Sequence, residues 1–303
     1  MSDSWKLTLP CTRAEAEALA EDIAPLAGLD PPPVLMTSEP DPDAPDAWQL
    51  DAYFEGKPDA ATIALLRGLV PSASAAKPLL ARLPDADWVT LSQQGLEPVH
   101  AGRFFVHTSQ HGEAPPPGTI AFRIDAGLAF GTGQHETTTG CLQTLDGLKR
   151  RGARFRNLLD LGTGTGLLAF AAMRLWPLAY ATASDIDPIA IRVSAENAAI
   201  NRIPLGADHG RLALAVADGL DDPLLAANAP YDLIIANILA QPLIAMAGSI
   251  AGALAPGGTL ILAGLLDSQA AAVAAAYRRH GLRLAGRVDN RGWPTLRMVK
   301  RRR

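Results

Sequence analysis

The run LLDLGTGTGLLAF sets three glycines, Gly162, Gly164 and Gly166, between a short apolar strand and an apolar helix. Glycines at such a turn let the backbone approach a ligand closely and aim the first amides of the helix at it. Leu167 stands where a dinucleotide-binding GxGxxG needs its last glycine, and no lysine followed by Ser or Thr completes a phosphate loop. Asp160 puts a charge at the end of an apolar strand, which calls for a ligand or a structural partner. A turn of this composition can also serve packing alone.

The next two strands end in acids. Asp185 follows Gly162 by 23 positions (185 − 162), close to the spacing of about 20 at which a carboxylate meets a ribose at the carboxyl edge of a sheet. Charge-assisted bonds to both ribose hydroxyls are worth about 1.5–3 kcal/mol each. Asp187 competes for that role, but its place before Pro188 also suits the N-cap of a helix. Asp218, in AVADGL, stands where an adenine amino group would be held, or simply turns the chain before Gly219. In YDLIIANILAQPL an apolar strand delivers Asn237 at its carboxyl end. Its amide offers an acceptor to a nucleophile's N–H and a donor to a neighbour, or caps the next helix. The least generic stretch is DAGLAFGTGQHETTTGCL, with Gly127, Gly131 and Gly133 around Phe130, followed by His135 and three threonines. Thr138 or Thr139 can cap a helix and offer a hydroxyl to a ligand carboxylate. A histidine alone in such a loop is more often bonded to solvent than catalytic.

These residues need a scaffold, and the chain is long enough for two units, at 303 residues and 31.8 kDa. Cys11 and Cys141 belong to no CxxC or Cys/His cluster, so neither a disulfide framework nor a metal site is expected. No apolar run reaches the roughly 18 residues of a membrane helix. The opening MSDSWKLTLP lacks the pattern of a signal peptide, so a soluble cytoplasmic protein is expected. Net charge is −4, which argues against tight non-specific nucleic-acid binding.

Residues 1–70 read as a small α+β unit of ferredoxin-like shape. Trp5 to Leu9 alternates as a strand, and Thr12 with Glu15 forms a capping box ahead of Leu19, Ile23 and Leu26. Val34 to Thr37 and Trp48 to Phe54 read as strands, and Asp59 caps a helix carrying Ile63, Leu66 and Val70. Residues 71–98, rich in Ala, Pro and Ser, read as a linker. Residues 99–303 form the second domain. Apolar strands at Asn157–Leu161, Tyr180–Ser184, Leu212–Ala217, Tyr231–Ala236 and Thr259–Ala263 alternate with helices at Gly162–Leu175, Pro188–Ile200, Pro242–Leu254 and Gln269–His280. A hairpin, Leu282–Asp289 and Thr295–Lys300, closes the chain. Strands lacking polar alternation are covered on both faces, so a parallel sheet wrapped by helices is expected. The KRRR tail reads as a solvated terminus.

The glycine turn resembles the Asp-x-Gly-x-Gly-x-Gly turn of class I methyltransferases. With SQQGLEPVHAGRFFVH, GLAFGTGQHETT, SDIDP and ANILAQPL the chain is similar to the PrmA family of ribosomal protein methyltransferases. The resemblance runs from about Asp87 to the last strand, and more loosely over the amino-terminal unit. It implies a Rossmann-like α/β domain with a mostly parallel seven-stranded sheet, and S-adenosyl-L-methionine as cofactor. Position by position it puts cofactor contacts on Thr138, Gly162, Asp185 and Asn237. Gly164, Gly166, Asp160 and Asp218 join them from the reading of the residues, and Asn237 is the expected catalytic residue. The implied acceptors are lysine side chains and the amino terminus of the large-subunit ribosomal protein L-eleven (L11), recognised by the amino-terminal unit. Ala126 replaces a usual proline, and Glu136 occupies a position that varies. Another protein lysine or an RNA base as acceptor, a non-catalytic module, and a nicotinamide oxidoreductase are the competing readings. Ile238 and Leu239 disfavour a base, which would want a stacking aromatic, and Leu167 disfavours the oxidoreductase.

Overall fold

The computed structural model describes residues 4–21, 33–38, 47–82, 98–109, 111–112, 114–124 and 134–302. The chain divides into two units, residues 1–92 and 93–303.

In the amino-terminal unit, strands β1 (Ser4–Thr12), β2 (Val34–Ser38), β3 (Ala47–Glu55) and β4 (Leu79–Arg82) form one antiparallel sheet in the order β2-β3-β1-β4. Helices Arg13–Glu21 and Ala60–Leu69 complete the β-α-β-β-α-β order. The core follows the pleat: Leu7, Leu9 and Cys11 of β1 and Leu50 and Ala52 of β3 are buried with Leu19 and Leu66. Both expected caps form. The Thr12 amide donates to Glu15 at 2.8 Å and the Glu15 amide donates back to Thr12 Oγ1 at 3.3 Å, while the Thr62 amide donates to Asp59 at 2.7 Å. Residues 71–82 differ from expectation. They form a 3₁₀ turn at Pro71–Ala75 and the strand β4, so the linker reading is wrong for that stretch. Composition misled here: Ala73 is buried under β1, and the fourth strand needs only the short apolar pair Leu79–Leu80. Ile23, Leu26 and residues 83–97 lie outside the described residues.

In the second unit, β5 (Val99–Ala101), β6 (Phe104–His107) and β7 (Ile120–Arg123) make a three-stranded sheet, and a helix at Gln134–Arg150 follows. The large sheet comprises β8 (Asn157–Leu161), β9 (Tyr180–Asp185), β10 (Leu212–Val216), β11 (Tyr231–Asn237), β12 (Leu254–Ala263), β13 (Leu282–Asn290) and β14 (Trp293–Lys300). Its order is β10-β9-β8-β11-β12-β14-β13. Six of its strands run in one direction, and β14 lies antiparallel to both its neighbours, β12 and β13. This is the mostly parallel seven-stranded sheet expected.

Both faces are apolar because both are covered. Leu158, Leu233, Ile235 and Ile261 join one core with Leu142, Leu145 and Phe170. Leu159, Ile234, Leu260 and Leu262 join another with Leu243, Ile250 and Tyr277. The helix expected at Pro242–Leu254 is two shorter ones, Ala240–Ala245 and Ala247–Ala253, meeting at Met246. The strand order reverses between β8 and β11, and ligands bind outside the carboxyl ends of strands at such a switch point.

Candidate active site

Strand β8 ends in the turn Gly162–Gly166, and the helix Leu167–Leu175 follows. All three glycines have positive φ, +70°, +55° and +86°, which an L side chain adopts only at a cost. Each is needed differently. A Cβ on Gly162 would lie 2.3 Å from Ile238 Cγ2, and one on Gly166 would lie 2.4 Å from the Phe170 ring. A Cβ on Gly164 would meet nothing within 4 Å. The middle of the turn is therefore bare backbone facing open space.

Asp160 lies beneath this turn, 1% exposed. One carboxylate oxygen accepts from Thr163 Oγ1 at 2.7 Å and from the Ala169 amide at 3.0 Å, and the other has no partner among the described residues. Burial pushes its pKa up to about 6, against the pull of those two bonds. Asp160 thus ties strand end, turn and helix start together from inside, rather than standing on the open surface with Gly164. Burial, and then the charge of Asp160, push the Cys141 thiol above its ordinary range.

Asp185 ends β9. Its carboxylate accepts from the Gly164 amide at 2.9 Å and the Asp187 amide at 3.1 Å, and each oxygen keeps a second lone pair for a ligand hydroxyl. Asp187 caps the helix Pro188–Ile200 through the Ile189 amide at 2.8 Å, which separates the two acids as their spacing suggested. Asp218 is exposed beyond β10 and lines a cavity of about 380 Å³ with Gly219, Leu220, Asp221, Met246 and Ser249.

Asn237 ends β11 on the far side of the glycine turn. Its Nδ2 donates to Thr138 Oγ1 at 3.5 Å, the long limit for such a bond, and its Oδ1 is buried with no partner among the described residues. Buried amide oxygens are nearly always satisfied, so this one has acceptor capacity that no described residue uses. Thr138 is buried and lies inside the helix that starts at Gln134. Neither Thr138 nor Thr139 is a cap, because the helix begins four residues before Thr138. Residues 125–133 and the side chain of His135 lie outside the described residues.

The open Gly164 backbone, the Asp185 carboxylate and the Asn237 oxygen, which has no partner among the described residues, lie along one sheet edge, across the switch point. This set suits S-adenosyl-L-methionine: a carboxylate for a ribose, a stretch of turn at Gly164 that a ligand can approach without meeting a side chain, and a neutral amide where a nucleophile would arrive. A family model, "Ribosomal protein L11 methyltransferase (PrmA)", matches residues 8–301. The chain belongs to that family. A ribosomal protein L11 methyltransferase from Rhizobium etli is 41% identical over 292 residues, covering 96% of this chain and 97% of that one. One from Brucella suis is 51% identical over 211 residues, 70% of this chain and 72% of the other. The crystal structure of a ribosomal protein L11 methylase from Lactobacillus delbrueckii subsp. bulgaricus shares the fold, with a TM-score of 0.56, 24% identity, and coverage of 68% of this chain and 98% of that one.

Three supports of this PrmA-family site escaped sequence reasoning. Ser194 Oγ donates to the Gly164 carbonyl at 2.8 Å, and Asn197 Nδ2 donates to the Thr165 carbonyl at 3.0 Å. Both are buried and pin the turn from the helix Pro188–Ile200. The signal was present, since two small polar residues three apart interrupt an otherwise apolar helix face. The third is Gly264, φ +82°, where a Cβ would lie 2.5 Å from the Ile238 carbonyl oxygen. Gly162 and Gly264 together clamp Ile238 and so fix the chain just after Asn237.

Proposed function

We infer that this protein transfers methyl groups from S-adenosyl-L-methionine to amino groups of ribosomal protein L11, on its lysine side chains and at its amino terminus. The acceptor follows from a family match that takes in residues of both units. Recognition of the protein substrate falls to the amino-terminal unit, residues 1–70 with the added strand β4, and a cytoplasmic location goes with that substrate. Gly162, Gly164, Gly166, Asp185, Thr138, Asn237 and Asp218 would hold the cofactor, with Asp160 holding the turn. When bound, S-adenosyl-L-methionine would supply a sulfonium-activated methyl carbon that a neutral amine attacks in line, the C–S bonding pair leaving with the sulfur of S-adenosylhomocysteine and the methylated nitrogen then losing its proton to solvent.

The residues present address the acceptor. A lysine amine with pKa about 10.4 is neutral in only about one molecule in a few thousand at pH 7, a cost of about 4–5 kcal/mol. Desolvation lowers that pKa, and an α-amine starting near 7.7–8.0 needs far less help. Asn237 carries the assignment: its buried Oδ1 accepts the N–H of the incoming amine and aims the nitrogen lone pair, a positioning contribution rather than a proton transfer. A neutral amide does this without holding the amine protonated, as a carboxylate would. Titration calorimetry tests the cofactor. S-adenosyl-L-methionine is expected to bind and NADH is not, and the reverse result would reject the assignment.

A further inference from the structure

The closing hairpin treats its two faces differently. Arg287, on the face towards the helix Asp267–Arg279, is neutralised by Asp267 and Asp289. On the opposite face, Thr295 packs against Gly140 of the helix Gln134–Arg150, and alternation along β14 puts Arg297 on that same side. Arg283 stands opposite Val299, one pleat further along, and Arg301, whose amide donates to the Gly281 carbonyl, continues the row. Arg151 reaches the same place from the end of the helix. Burial, and then the charges of Arg151 and Arg283, lower the Arg297 pKa, so these cations sense one another.

None of the four makes an ion pair among the described residues. Arg297 donates only to the Ala285 carbonyl. Nearby acids are already taken: Asp146 binds Arg103 and Arg150. The row starts mid-strand, where Arg297 pairs with Ile261, and runs away from the carboxyl ends of the parallel strands, because β14 is antiparallel to β12 and Val299 pairs with Thr259 rather than with Ala263.

We propose that Arg151, Arg283, Arg297 and Arg301 form a docking strip for the phosphate backbone of single-stranded RNA. A row of like charges held together without an anion is relieved by an external one. Arg297 and Arg301 stand four residues apart along the β14 direction, about 13 Å, and Arg283 on β13 lies at the level between them, so the partner carries its charge at intervals on an extended chain. A nucleic-acid strand does so at every nucleotide, whereas a peptide does so only with a run of acids. All four are arginines, whose planar fork matches phosphate oxygens in pairs. The chain's net charge of −4 limits this to a local, salt-sensitive interaction.

Fluorescence anisotropy of a labelled uridine oligonucleotide with the full-length protein tests the strip. Wild type binds at about 50 mM salt and weakens as salt rises, with a log–log slope that drops by about 0.7 for each arginine removed. Arg151→Gln with Arg283→Gln is expected to weaken binding at least about tenfold and to leave methyl transfer to isolated L11 unchanged. Arg287→Gln removes a charge from the other face and is expected to leave RNA affinity alone. Absence of RNA binding by wild type, equal loss in Arg287→Gln, or polyglutamate bound in preference to RNA would each overturn the proposal.

Discussion

The clamp on Ile238 can be tested by adding a single methyl group. In Gly162→Ala the new carbon would sit 2.3 Å from Ile238 Cγ2 on a backbone with φ +70°. The left-handed conformation costs about 1–2 kcal/mol, and overpacking adds about 1–3 kcal/mol, so the variant loses about 2–5 kcal/mol. Only the second part depends on Ile238. Once Cγ2 is gone the nearest atom is Ile238 Cβ at 3.7 Å, an ordinary contact. In the cycle of Gly162→Ala, Ile238→Ala and the double variant, the double variant should therefore be about 1–3 kcal/mol more stable than the sum of the singles predicts. Ile238→Val keeps a γ2 carbon and should rescue nothing. Urea denaturation with unchanged m-values reads these differences. Additivity within about 0.5 kcal/mol would refute the clamp.

Asn237→Ala removes one long bond and an oxygen that has no partner among the described residues, so Tm should barely move while kcat falls about 10²–10³-fold; near-normal turnover would reject its role. Asp160 has a raised pKa, about 6 against an ordinary 3.8. The folded state therefore keeps the proton longer, and stability is lost as pH rises from about 4 to 6. Asp160→Asn should flatten that part of a Tm-against-pH curve, and an unchanged slope would contradict the assignment. Glu15 behaves oppositely. Burial raises its pKa, but bonds from Ser72 and Thr12 outweigh it and bring the value down to about 2, so its contribution is present above about pH 4.5 and disappears as pH falls towards 2. Glu15→Gln should lower stability at pH 7 and converge with wild type near pH 2, as measured by thermal melts.

The parallel strands were legible because each is a short apolar run ended by a polar or glycine signal, and Asp160, Asp185 and Asn237 stand at those ends. The helix Gln134–Arg150 was hidden at its start. Three threonines and a glycine, residues 137–140, are poor helix formers, and packing against β14 overrides them: Gly140 faces Thr295 at a distance no side chain could occupy. The strands β5 and β6 were missed because neither exceeds four residues, too short for a period to emerge. Residue types in the site were readable, but orientations were not. Sequence alone could not tell that Asp160 points under the turn while Asp185 remains available beside Gly164. The pair Ser194 and Asn197 marks its helix face but not the carbonyls it bonds, and the contact of Gly264 with Ile238 joins residues far apart in the chain, which no local pattern encodes.

Incubation of the full-length protein with S-adenosyl-L-methionine and purified ribosomal protein L11, followed by intact-mass and peptide mass spectrometry, tests the central claim most directly. L11 should gain whole methyl groups on lysine side chains and its terminal amine, and lose that gain with Asn237→Ala. An L11 that stays unmodified beside a wild-type enzyme shown to bind the cofactor would contradict it.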